Sequence, residues 1–192
     1  MDKKTQVYIY AFLSRLFEKE IDLKLLSDLK KSEEITQMIS PDLHKWFDLK
    51  SDDELLEELS IDFTSLFVMN HTQPIETAIL DDKDEVLVGL QNPVMQFYFD
   101  HGYELHLDKT HIQTPDHISL EFGFMQNLVQ KERYDIAAMF LKKHILQWVP
   151  SYLLSMKESA RSLFYEELCD FTIEFILASY ETLMSEATEV ES

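Results

Sequence analysis

The chain has 192 residues, 36 acidic against 17 basic, and a formal net charge of −19. That excess of acid excludes nucleic-acid and anionic-membrane binding as driving interactions, because both rely on Lys and Arg to displace counterions from phosphates. A hydrophobic fraction of 45% gives it a core to bury, while 3 Gly and 5 Pro are too few for a turn-rich β fold or a glycine-rich phosphate loop.

The first element is a helix, since Ile9, Phe12, Leu13, Leu16 and Phe17 recur at helical spacing. Arg15 and Glu18 interrupt its apolar character and no small-residue cleavage site follows, so it reads as a mature helix and not a signal peptide. Leu23, Leu26 and Leu29 predict a short second helix. Ser40-Pro41 predicts an N-cap with Pro at the first helical position, where the missing N–H is harmless. Ser51-Asp52-Asp53-Glu54 is a capping box, opening a helix with Leu55, Leu59, Phe63, Leu66 and Phe67 on its inner face up to Asn70.

Residues 70–77 form a loop around Pro74, and 78–90 fit either short helix or extended chain. Asn92-Pro93 opens a further helix, with Gly102 as its C-terminal stop. Residues 104–114 lack a period and are expected to link two lobes. Thr114-Pro115 predicts the start of a strong helix carrying Ile118, Phe122, Met125 and Val129, with Asp116 as a first-turn acid stabilised by free N–H groups. The next helix, 134–148, is expected to end at Pro150, and the last to run over 158–184 before a frayed acidic tail. The predicted fold is an all-α helical bundle: an N-terminal lobe over 1–103, a hinge linker over 104–114, a C-terminal lobe over 115–184 and a tail over 185–192. No segment approaches the roughly 20 apolar residues of a membrane span, so a cytoplasmic location is expected.

Catalytic patterns are missing. There is no nucleophile elbow, P-loop, HExxH or GxGxxG. The single cysteine, Cys169, sits in an apolar helical pattern and reads as a packed thiol. His101, His106 and His111 are spaced by five, which fits no single helix face. His117 and Glu121 stand at i and i+4, but the expectation is that no metal is held. The chain is expected not to be an enzyme.

Taken in order, several segments resemble the TorD/DmsD/NarJ family of redox-enzyme maturation chaperones, nearest to its TorD branch. They are Tyr10 to Phe17 (YAFLSRLF), Phe63 to Phe67 (FTSLF), Pro74-Ile75-Glu76-Thr77, and Pro115-Asp116-His117-Ile118 running on to Phe124-Met125. Phe140 to Trp148 with His144, and Phe164-Tyr165, resemble its C-terminal helices. Ile75 stands where many members carry an aromatic ring, and Thr77 where many carry Ser.

The resemblance implies a protein that binds the twin-arginine signal peptide of an apo molybdenum oxidoreductase. It would hold that client until molybdopterin guanine dinucleotide is inserted, and delay export until then. It points to Phe63, Leu66, Phe67, Pro74, Ile75, Glu76, Asp116 and His117 as signal-peptide contacts, with Glu76 and Asp116 expected to face the Arg pair across the mouth of an apolar groove. It also implies weak guanine-nucleotide binding in some members, assigned to no residue here, no intrinsic cofactor, and a monomer or domain-swapped dimer. Two other readings stay open at this point: a weak guanine-nucleotide-dependent enzyme, and a generic helical adaptor.

The charge is unevenly placed. Residues 1–50 are balanced, whereas 51–108 carry 14 acids against one base, Lys83. An acidic field there would speed capture of a cationic peptide.

Overall fold

The computed structural model describes residues 1–69, 73–80, 87, 89–107, 110 and 112–190. It is all-α: among the described residues no strand forms, and the single β-bridge joins Ile75 to His117. No helix among them is long and apolar enough to cross a membrane.

Helix α1 (Lys3–Glu18) is capped by Asp2, which accepts from the Thr5 N–H at 3.0 Å. It buries Ile9, Tyr10, Phe12, Leu13, Leu16 and Phe17. Its main partner is α8 (Ile118–Gln130), across the sequence. Gly123 permits the approach: a Cβ there would lie 3.4 Å from the Ser14 hydroxyl oxygen, and Ser14 itself donates to the Ser119 carbonyl at 2.7 Å. Residues on both sides of 104–114 therefore share one hydrophobic core. The described residues of that stretch form no α-helix or strand, and residues 108, 109 and 111, with the His111 of the histidine series, lie outside the described residues.

Helices α2 (Leu23–Lys31), α3 (Glu33–Ile39) and α4 (Leu43–Asp48) follow. Helix α3 is absent from the sequence reading because it buries little beyond Thr36 and Ile39. Its presence turns Ser40 into a C-cap, so α4 begins after Asp42 and not at Ser40-Pro41. Helix α5 (Asp52–Phe63) has both halves of the capping box on Ser51 and Glu54. It runs into a π-helical turn, Thr64–Val68, that carries Leu66 and Phe67. Asn70, where the pattern was expected to stop, and the rest of 70–72 lie outside the described residues.

Helix α6 (Glu76–Leu80) replaces part of the ambiguous stretch, a 3-10 turn forms at Gly89–Gln91, and 81–86 and 88 lie outside the described residues. Helix α7 (Pro93–Asp100) has Asn92 as N-cap and Pro93 in its first turn, as expected. Gly102, with φ of +76°, follows its C-cap.

Helix α9 (Tyr134–Phe140) passes through a second π turn, Leu141–Ile145, into α10 (Leu146–Ser159). Pro150 lies inside α10 and does not end it. An interior Pro costs about 3 kcal/mol, and burial of Trp148, Val149, Tyr152, Leu153 and Met156 on the inner face of α10 offsets it. Helix α11 (Leu163–Val190) starts later than expected and continues through the first residues of the acidic tail. Its start is held by Asp62 of α5, whose Oδ2 accepts from the Ser162 N–H at 2.8 Å and the Ser162 hydroxyl at 2.7 Å. Cys169 is buried, and burial pushes its thiol up to about 12, which leaves it protonated and unreactive.

Candidate functional site

The bridge between Ile75 and His117 assembles the site. Glu76 N–H donates to the Asp116 carbonyl at 3.0 Å, and Ile118 N–H donates to the Pro74 carbonyl at 2.9 Å. The Pro-Ile-Glu turn and the Pro-Asp-His turn thus lie side by side. Asp116 is fully buried, and its Oδ2 accepts from the Thr77 N–H at 2.9 Å and the Thr77 hydroxyl at 2.6 Å. It caps α6. It is not a first-turn acid of α8, which begins at Ile118 with His117 as its N-cap.

Outside this bridge lies a groove of about 640 Å³, lined by Phe17, Phe63, Phe67, Pro74, Ile75 and His117, with Glu18 and Gln113 among its polar groups. The volume falls within the range of ligand clefts, about 300–1,000 Å³. Its aromatic wall is built by contact: Phe63 and Phe67 lie 5.2 Å apart between ring centroids, and Phe17 meets Phe67 edge-on at 5.5 Å. Glu20, near by on the chain, accepts from the Ser60 and Thr64 hydroxyls at 2.7 and 3.1 Å.

His117 is the groove's defined donor. Its Nδ1 accepts from the Ser119 N–H at 3.2 Å, which fixes the proton of the neutral ring on Nε2. Burial lowers its pKa to about 4, outweighing the pull of Asp116. The ring is therefore neutral at pH 7.

Inside the bridge the chemistry is different. Glu76 is 4% exposed and pairs with His144 Nδ1 at 3.0 and 3.2 Å. The His144 ring is sandwiched among Phe97 and Phe140, at 5.3 and 4.8 Å. Glu121 is fully buried, and neither of its oxygens has a hydrogen-bond partner; the Trp148 indole N–H is also unpartnered. Tyr98 donates to the Pro115 carbonyl at 3.3 Å, and burial with the surrounding carboxylates raises its pKa well above the ordinary value.

Seven of the eight residues expected at the site come together, on two sides of one wall. Phe63, Phe67, Pro74, Ile75 and His117 line the groove. Glu76 and Asp116 stand behind it, buried, and Leu66 is buried in the π turn that carries Phe67. The expected pose of Glu76 and Asp116 at the groove mouth is corrected: both carboxylates are engaged with the chain's own donors, and Glu18 is the carboxylate that lines the groove. Glu121, His144 and Trp148 join the site; their helices and the resemblance were legible in the sequence, their meeting with Glu76 was not. Among the described residues, no group of three or more His, Cys, Asp or Glu is arranged to hold a metal ion.

The sequence profile of the nitrate reductase delta subunit family matches residues 25–153, more than half of the chain. The chain belongs to that family. Its relatives include proteins named Chaperone protein TorD. That of Shewanella pealeana is 26% identical over 93% of this chain and 89% of its own length. That of Shewanella piezotolerans is 22% identical over 94% and 93%, and that of Colwellia psychrerythraea 20% over 96% and 94%. Within the nitrate reductase delta subunit family this chain is thus TorD-like, as the order of its motifs implied, and matches these relatives almost end to end.

Proposed function

We propose that this redox-enzyme maturation chaperone acts in the cytoplasm by seating a twin-arginine signal peptide in the groove. It would hold the apo molybdoenzyme until its molybdopterin guanine dinucleotide is inserted, and release it for export afterwards. The observation that carries the reading is the groove itself, an open apolar channel walled by Phe63, Phe67, Pro74 and Ile75, with one neutral imidazole donor in its lining.

A twin-arginine peptide brings a guanidinium pair and an apolar stretch. The apolar stretch covers the aromatic wall, as in helix-in-groove recognition. His117 Nε2–H donates to a peptide carbonyl. Glu18 accepts a guanidinium, whose planar fork suits a carboxylate. The exposed acids Asp52, Asp53, Glu54 and Glu57 of α5, the helix that leads to the groove, attract the cationic peptide at longer range. Leu66, Glu76 and Asp116 contribute by holding the wall.

The test is fluorescence anisotropy with a labelled peptide carrying Arg-Arg followed by an apolar stretch. Binding is expected, with weaker binding for the Lys-Lys peptide and for the Leu66→Ala variant. Equal affinity for both peptides and for both proteins, with folding intact, would overturn the reading.

A further inference from the structure

Three buried carboxyls and one imidazole lie behind the groove wall. Glu76 comes from α6, Asp116 from the turn before α8, and Glu121 from α8; His144 comes from the π turn before α10. The other side chains acting on Glu121 are Tyr98 of α7 and Trp148 of α10, neither of them cationic, and His117 beside Asp116 is neutral. The donors are unequally shared. Asp116 has the Thr77 N–H and hydroxyl, Glu76 has His144, and Glu121 has none. An ionised carboxylate with no donor, buried beside two others, is strongly disfavoured.

We infer that Glu121 is a neutral acid that donates its proton to the Glu76 carboxylate, and is thereby a positioning residue for the Pro74–Thr77 wall of the groove. A single proton turns one orphaned Glu121 oxygen into a donor. The Glu121 hydroxyl donates to the neighbouring Glu76 carboxylate, and the Trp148 indole N–H stays without a hydrogen-bond partner. Burial first, then the charges of Glu76 and Asp116, push Glu121 well above its ordinary 4.5, in line with this geometry. Glu76 then accepts from both Glu121 and His144, and its backbone N–H is bonded to Asp116. The turn carrying Ile75 is clamped to α8 and α10 from behind. That this clamp serves peptide binding rests on the function proposed above; the shared proton does not.

The protonation has a sign. A carboxyl whose folded pKa is raised gives a stability contribution that is fully present below the unfolded value, 4.5, and is lost as pH rises toward and through the folded value. The Glu121→Gln side chain keeps a neutral donor to Glu76 and does not titrate. The experiment is urea unfolding of the natural chain, Glu121→Gln and Glu121→Ala across neutral pH. It is joined by infrared spectroscopy of the folded proteins and by peptide binding.

The ratio of the unfolding constants of the natural chain and Glu121→Gln is expected to rise by up to about tenfold per pH unit above the unfolded carboxyl pKa. The natural protein should show a protonated-carboxyl C=O band at neutral pH that Glu121→Gln lacks. Peptide affinity should stay within about twofold for Glu121→Gln and fall for Glu121→Ala, as for a wall held by a donor. The inference is overturned by a pH-independent ratio, or by a neutral-pH spectrum without that band. Should Glu121→Ala fail to fold, the Gln comparison and the spectrum still decide. Both are read without peptide, so a failure of signal-peptide binding leaves them standing.

Discussion

Ile75 and Glu76 are neighbours in sequence, and they belong to opposite faces of one wall. Ile75 shares the groove with Phe63, Phe67 and His117, where apolar surface meets neutral polar groups, Gln73, Gln113 and Thr114 among them. Glu76 shares the interior with Asp116, Glu121 and His144, where hydrogen bonds and a proton hold the wall in place. The outer face is suited to recognition and the inner face to rigidity. The two histidines make the same contrast: His144 pairs with a buried carboxylate, while His117 is kept neutral by burial and leaves its Nε2–H to the groove. In a motif that combines Pro, acid and His, the acid is thus turned inward while the Pro and His line the groove.

The contrast breaks most visibly at His144. Its replacement by Ala takes the imidazole from the buried Glu76 and leaves it only the Glu121 proton, and unfolding in urea is expected to lose about 3 kcal/mol. Peptide affinity should fall only as far as the wall loosens, so a variant with normal stability would refute the inner role. Next comes Asp116. Asp116→Ala strands the Thr77 N–H and hydroxyl and is expected to cost about 2–3 kcal/mol, while Asp116→Asn, which keeps an acceptor oxygen, costs about half as much. Urea denaturation of the two variants should reproduce that order. Equal losses would mean the carboxylate acts through its charge and not as a cap.

The groove face is sharpened by His117→Asn, since Asn is among the best N-caps. The helix start should survive, and peptide affinity should fall by about 1 kcal/mol with the lost donor. A His whose folded pKa is depressed stabilises fully above its unfolded value of 6.5 and loses that contribution as pH falls toward and through about 4. The natural chain should thus lose up to about 3 kcal/mol relative to His117→Asn over that acid window, in thermal or urea unfolding. This is opposite in sign to Glu121, so the two titrations separate in difference measurements. The smallest effect is expected from Glu54, Glu57 and Asp53 together changed to their amides. Stopped-flow association of the peptide should slow a few-fold and lose much of its salt dependence, with the dissociation rate nearly unchanged.

Local signals were read correctly where the chemistry closes within a few residues. Ser51 and Glu54 cap one another, Asn92 accepts from the N–H groups of Val94 and Met95, and Gly102 takes the positive φ that follows a helix end. Errors arose where a residue's partner is remote. Asp116 looked like a first-turn acid of its own helix and instead caps α6. Pro150 looked like a stop, yet the apolar face of α10 carries the helix through it. The two π turns, at Thr64–Val68 and Leu141–Ile145, have no sequence signature, and they hold Phe67 and His144, one on each face of the wall. Such wide turns recur at functional sites.

What the sequence determined by itself is the helical period, the composition of the core and the segments that carry the candidate residues, because spacing and motif order are recorded along the chain. Tertiary structure alone decided which of those residues face the groove and which are sealed behind it. That choice turns on donors that arrive from distant helices: Thr77 for Asp116, His144 for Glu76, and none for Glu121. A buried carboxylate is satisfied by whatever the fold brings to it, and no run of neighbouring residues records what that will be.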